Sequence, residues 1–192
     1  MTTTLVVASN PGRDPYLREL AVVAGRALAR RHLVVDLDLE AEGFEPAMSA
    51  SERRAYHTNQ PILDPQVARH AGLVAEASAL VFVYPSVWFG LPATLKGWLD
   101  RVLVPGVAFT FNAEGRVVPA LRHLRAIAGV TVHGPSRREV LRARDGGRRV
   151  LLRALRLTAS RPPRKAWLAL YDYDGTGPTQ YVTRVENVLA RL

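Results

Sequence analysis

Five short apolar runs, at residues 4–9, 32–37, 79–84, 125–132 and 166–171, constrain this chain more than any other feature. A strand with one wet face alternates apolar and polar residues. Runs such as Leu-Val-Phe-Val-Tyr (80–84) are apolar on both faces, which suits a parallel sheet covered on both sides by helices. Helical patterns lie between the runs. Leu17, Leu20, Ala21, Ala24 and Leu28 share one helical face, as do Leu95, Trp98, Leu99, Val102 and Leu103. Tyr181, Val182, Val185, Val188, Leu189 and Leu192 form a third stripe. The pattern over 137–157 is weaker because Asp145-Gly146-Gly147 interrupts it. This alternation predicts an α/β fold, a doubly wound five-stranded parallel sheet with helices on both faces. Residues 39–56 read as a longer connection with a helix start at Ser49. With 192 residues and no linker, repeat or low-complexity tract, a single domain over 1–192 is expected.

Composition excludes several kinds of chemistry. There are no cysteines, so disulfides, thiolate catalysis and cysteine-bound zinc are ruled out, and no metal site is expected. The first residues lack the basic and apolar regions of a signal peptide, and no apolar stretch approaches membrane-spanning length, so a cytoplasmic location is expected. The net charge of +9 is uneven. Residues 116–165 hold 14 basic and two acidic side chains, and the remainder is slightly acidic. Such a segment suits anionic ligands or nucleic acid. Nearly all the basic residues are arginine, as a coding bias would give, and no nucleic-acid-binding signature accompanies them, so nucleic acid is not the expected partner.

In an open parallel sheet, ligands bind beyond the carboxyl ends of the strands. Three segments therefore matter: Ser-Asn-Pro-Gly-Arg-Asp-Pro-Tyr (9–16), Tyr-Pro-Ser-Val-Trp-Phe-Gly-Leu-Pro (84–92) and Thr-Val-His-Gly-Pro-Ser-Arg-Arg (131–138). The first runs into a helix N-terminus, where Asn10, Gly12 and Arg13 are compatible with a phosphate. Asp14 speaks against one, and reads equally as the helix N-cap with Pro15 at the first helical position. The second places Trp88 and Phe89 in a loop. They fit a planar heteroaromatic ring, stacked on one side and hydrogen-bonded at its rim, and equally a core cover or a subunit interface. In the third, Thr131, His133 and Gly134 offer a hydroxyl, an imidazole and an open backbone to the polar edge of the same ring.

At these residues the chain resembles the flavodoxin-like NAD(P)H dehydrogenase (quinone) family, which includes quinone reductases and ancillary flavoproteins of bacterial potassium-efflux systems. The likeness is strongest over 84–111. There Tyr84, Pro85, Trp88, Phe89, Pro92, Ala93, Lys96, Gly97, Trp98, Asp100, Arg101 and Val102 match the family pattern. The segment 36–57 is similar as well. Two departures stand out: Asp14 where the family often has Ser or Thr, and Thr131-Val132-His133-Gly134 where it often has Thr-Thr-Gly-Gly or Thr-Thr-Tyr-Gly. The resemblance implies a homodimer with strand order 2-1-3-4-5 that binds FMN, or alternatively FAD. It implies that Pro85, Ser86, Val87, Trp88, Phe89 and Gly90 lie along the isoalloxazine, that Thr131, Val132, His133 and Gly134 serve its N1/O2 edge, and that Asn10, Arg13 and Tyr16 take the phosphate end.

The activity so implied is ping-pong transfer of hydride from NAD(P)H through flavin N5 to a quinone-like acceptor. Trp88 is the expected stacking wall and His133 the candidate proton or hydrogen-bond donor. Arg137 and Arg138 are placed to attract NAD(P)H phosphates. The potassium-efflux relatives imply a second reading, a regulatory subunit that docks on a membrane transporter through the basic segment. A monomeric electron carrier is disfavoured by the basic charge.

Overall fold

The structure is a computed structural model that describes residues 2–192. Its centre is a five-stranded sheet built from β1 (Thr2–Ala8), β2 (His32–Asp38), β3 (Ala79–Pro85), β6 (Ala126–Val132) and β7 (Arg164–Leu170). All pairings are parallel, in the order β2-β1-β3-β6-β7. Numbered among themselves these strands run 2-1-3-4-5, and the five apolar runs fall on them to within two residues. Strands β4 (Phe109–Phe111) and β5 (Val117–Pro119) form a separate antiparallel hairpin. That hairpin was not expected, because three-residue strands with exposed faces leave no periodic signal.

Side chains two apart on a strand face the same way, and this sorts the core into two layers. Val6, Val81, Val83, Ala128, Val130 and Leu168 pack under α1 (Pro15–Ala29) and α7 (Thr179–Leu189). Leu5, Val7, Leu80, Phe82, Tyr84 and Ile127 pack under α3 (Pro65–Glu76) and α4 (Ala93–Val102). Trp98 of α4 is completely buried, and its Nε1–H donates to His70 Nδ1 of α3 at 3.1 Å. That bond places the His70 proton on Nε2, which donates to Glu42 at 2.9 Å. Burial lowers the His70 pKa against the opposing Glu42 charge, so the ring is neutral.

The long connection after β2 is tied down by charge. Ser49 and Glu52 form a capping box that opens α2 (Ala50–Ala55), as the Ser49 start signal predicts. Arg101 of α4, 5% exposed, then holds Glu52 at 2.7 Å and Asp64 at 2.8 Å. Removing one partner of such a buried network costs about 3–5 kcal/mol, because the others are left charged and unpaired.

The weak helical pattern of the basic segment resolves into pieces. Helix α5 (Arg137–Ala143) ends at Arg144 in the left-handed region, φ 61°. Asp145 then caps the one-turn α6 (Gly146–Arg149), followed by a π-helical turn (Val150–Ala154) and a 3-10 turn (Leu155–Thr158).

Candidate functional site at the carboxyl edge of the sheet

The three loops expected to carry the site all leave the carboxyl ends of β1, β3 and β6. The first is knotted onto itself. The Asn10 side chain accepts from the Asp14 amide at 2.9 Å and donates to the Asp14 carbonyl at 2.8 Å. Asp14 is the N-cap of α1 and accepts from the Tyr16 amide, with Pro15 at the first helical position. Its other oxygen accepts from the Tyr173 hydroxyl at 2.7 Å. Tyr16 is buried, stacked on Tyr173, and its hydroxyl donates to the Pro178 carbonyl at 3.2 Å. Arg13 is exposed, with φ 53°.

The second loop is a two-residue reverse turn. Val87 and Gly90 exchange amide-to-carbonyl bonds of 3.2 and 2.8 Å around Trp88 and Phe89. Both central residues lie in the left-handed region, φ 48° and 56°. Positive φ at both is the signature of a type I′ turn, which Asn-Gly fills without cost. Two aromatic residues there are strained by about 1–2 kcal/mol each, and such strain persists where the position has another use. Trp88 is 94% exposed, so in the single chain it covers no core. No acceptor among the described residues takes the Trp88 or Phe89 amide. Pro85 and Ser86 are partly buried where β3 ends, and the Ser86 amide donates to the Val132 carbonyl at 2.8 Å, locking the second loop to the third.

The third loop buries its polar groups. Thr131, Val132 and His133 are buried and Gly134 is exposed. The hydroxyls of Thr131 and Tyr84, side by side on β6 and β3, have no partner among the described residues beyond each other, and neither His133 ring nitrogen has one. Such orphans are uncommon in a folded interior and point to a group that completes them. Burial raises the Tyr84 hydroxyl well above its ordinary pKa, so it stays a donor. Burial also lowers the His133 pKa, against the charge of Asp145, whose Oδ2 lies 3.8 Å from Nε2. The ring stacks on Tyr171 and is 1% exposed, so it is turned inward.

Residues outside the three segments complete the arrangement. The Gly146 amide donates to the Phe89 carbonyl at 2.6 Å, so the Asp-Gly-Gly break supports the strained turn. A Cβ on Gly147 would stand 2.7 Å from the Tyr84 hydroxyl oxygen, which favours glycine at that position of α6. That break was visible in the sequence, but its contact with Tyr84 and Phe89 was not. Beside it, Arg144, Arg148, Arg149, Arg153 and Lys165 line a groove of about 530 Å³ with Asp145 and Tyr171. Arg137 and Arg138 stand exposed on the first turn of α5, outside this groove.

A family model for the flavodoxin-like fold matches residues 1–160. The chain belongs to the flavodoxin-like family. Among curated relatives, this flavodoxin-like chain is 27% identical over 166 residues to NAD(P)H dehydrogenase [quinone] 1 of Cavia porcellus, covering 77% of this chain and 59% of that protein. It thus spans about three fifths of the length of that relative and of its Rattus norvegicus counterpart. A solved protein of Streptococcus mutans superposes over the whole of both chains with a TM-score of 0.81 and 21% identity. An FMN-dependent NADH-azoreductase of Bacillus anthracis, solved in complex with FMN, covers all of this chain and 97% of its own, with a TM-score of 0.71 and 14% identity. At these identities the solved structures speak for the fold.

Proposed function

We propose that this flavodoxin-like chain is a flavin-dependent NAD(P)H oxidoreductase that delivers electrons to a quinone-like acceptor. One observation carries the reading: an exposed tryptophan held on a strained turn at the carboxyl edge of the sheet, next to buried hydroxyls with no partner beyond each other. The names of the relatives point the same way, since one is an NAD(P)H dehydrogenase of the quinone type and another depends on FMN.

The ring end of the site fits a flavin. Trp88 presents an open face for stacking, and the Trp88, Phe89 and Gly134 amides are unengaged donors among the described residues. Tyr84 and Thr131 hold further donors below the loops. A flavin bound there supplies two-electron redox chemistry that no side chain of this chain can perform. The residues orient the ring, and loop dipoles favour negative charge at its rim. The arginine groove attracts the phosphates of NAD(P)H. His133, neutral and buried, braces the third loop against Tyr171.

In the single chain Trp88 stands 94% exposed. We infer that a second copy closes the pocket and contributes to its far wall, with the exposed apolar hairpin side chains Phe111, Val117 and Val118 as candidate contacts. The visible spectrum of the protein, mixed with FMN or FAD and then with NADPH in the absence of oxygen, tests the reading. Bleaching of the visible band of the oxidised flavin and its return on adding benzoquinone are the expected results. A folded protein that takes up no flavin and shows no turnover sinks it.

A further inference from the structure

The first loop spends most of its polar groups on itself and on Glu40, whereas the second and third leave the Trp88, Phe89 and Gly134 amides free, and the role assigned to it rests on the flavin-dependent function. We propose that Glu40 and Asp14 close the phosphate subsite from within, so that flavin is held through its ring, gains nothing from its phosphate, and exchanges with solution.

A phosphate at a loop that enters a helix is held by free backbone amides. Here most of the amides are spent, and among the described residues only Gly12 N–H and Leu17 N–H are left without an acceptor. Ser9 N–H donates to the Val83 carbonyl at 3.0 Å and Arg13 N–H to the Asn10 carbonyl at 2.9 Å. Asn10 N–H donates to Glu40 Oε2 at 2.7 Å, and the Ser9 hydroxyl to Glu40 Oε1 at 3.0 Å. Glu40 therefore takes an amide and a hydroxyl with its two oxygens, as a phosphate would. Asp14 N–H goes to the Asn10 side chain and Tyr16 N–H to Asp14 itself. Pro11 and Pro15 have no N–H to give.

Charge acts in the same direction. A phosphate brought to this loop meets two carboxylates. The cavity of about 370 Å³ beside it sets Asp36, Asp38 and Glu40 against Arg13 and Arg18. Arg13 is exposed and forms no ion pair among the described residues, so water screens what it can offer. The second and third loops keep the Trp88, Phe89 and Gly134 amides free, so the ring end stays open while the phosphate end is largely shut.

Riboflavin and FMN share the ring and differ in the phosphate, so their relative affinity reads the subsite directly. Flavin fluorescence quenching should give wild-type Kd values for the two within about threefold of each other. Glu40→Ala, which frees the Asn10 amide and the Ser9 hydroxyl, should tighten FMN by about tenfold or more and leave riboflavin unchanged, the effect of one recovered charge-assisted bond. Asp14→Ser keeps the N-cap, removes a charge and should act in the same sense. Glu40→Gln keeps the size and guards against misfolding; its gain should be smaller than that of Glu40→Ala. Wild-type protein that binds FMN ten times more tightly than riboflavin overturns the proposal. If no flavin quenches with any variant, the flavin reading falls, and a titration with inorganic phosphate followed by amide NMR decides the closure alone. Shifts at Asn10 and Gly12 in Glu40→Ala but not in wild type support it. Equal shifts in both overturn it.

Discussion

Trp88 shows how much one residue can say once its backbone is known. As sequence, Trp-Phe between Pro85 and Pro92 was an oddity that fitted a pocket wall, a core cover or an interface. Exposure of 94% removes the core cover, and φ 48° shows that the chain accepts strain to put the ring outside. Trp88→Ala should change stability by no more than about 0.5 kcal/mol, as for other exposed sites. Trp88→Gly should stabilise the protein by about 0.5–1 kcal/mol, since glycine relieves the left-handed strain and loses only part of that gain to its unfolded-state entropy. Both should lower turnover with NAD(P)H and a quinone by about two- to tenfold, of the order of one lost stacking contact. Urea melts and steady-state rates on the same samples check this. A loss of stability on Trp88→Ala of about 2 kcal/mol or more would return the ring to a packing role.

Among the elements, α4 and the basic segment carry the main lessons. Gly97, in the Lys-Gly-Trp stretch of α4, is where the backbone at Pro46 crosses the helix. A Cβ there would lie 2.2 Å from the Pro46 carbonyl oxygen and 2.6 Å from its Cα. Alanine favours a helix over glycine by about 1 kcal/mol, yet the clash is with backbone, which cannot swing aside. Overpacking at the upper end of its range, about 3 kcal/mol, wins, and Gly97→Ala should lower stability by about 2 kcal/mol net. A shift of the urea midpoint to higher concentration would contradict this.

The basic segment was legible in composition but not in shape. Only the break at Asp145-Gly146-Gly147 brings Arg144, Arg148, Arg149 and Arg153 around one groove. Arg148→Glu with Arg149→Glu should raise KM for NADPH about tenfold or more and leave kcat within about twofold, with a weaker effect on NADH. A fall in kcat at unchanged KM would remove the groove from coenzyme binding.

At the scale of the whole molecule, acid stability follows from which charges are buried. Burial lowers His70 and His133 below the ordinary value of 6.5, with Glu42 and Asp145 opposing. The unfolded chain takes up these protons first, so stability should decline as pH falls below about 6.5. For Glu52 and Asp64, burial raises the pKa, but hydrogen bonds outweigh it: from Ser49 and Arg101 in one case, from the Gln66 and Val67 amides and Arg101 in the other. Both end below their ordinary values of 4.5 and 3.8. Their contribution is present above those values and is lost as pH falls through the lowered ones, a second decline starting near pH 4.5. Urea midpoints across pH 8 to 3 (a range spanning about both transitions) measure this. A flat profile between about pH 7 and 5 would show that the two histidines carry no such linkage.

The sequence by itself determined the sheet and its parallel sense, and pointed to the edge where a ligand is expected. Apolar runs of strand length, helical stripes and loop positions are local signals, and five of them in alternation admit few arrangements. It also marked Ser49 and the Asp145 break. Tertiary structure decided how each loop is used. Glu40 reaches Asn10 from 30 residues away, Tyr173 reaches Asp14 from 159, and Gly146 holds Phe89 across the sheet edge. Hydrogen bonds of that kind depend on which strands lie side by side, and no window along the chain contains both partners. For the same reason His133 reads as a donor in sequence and is found turned inward against Tyr171.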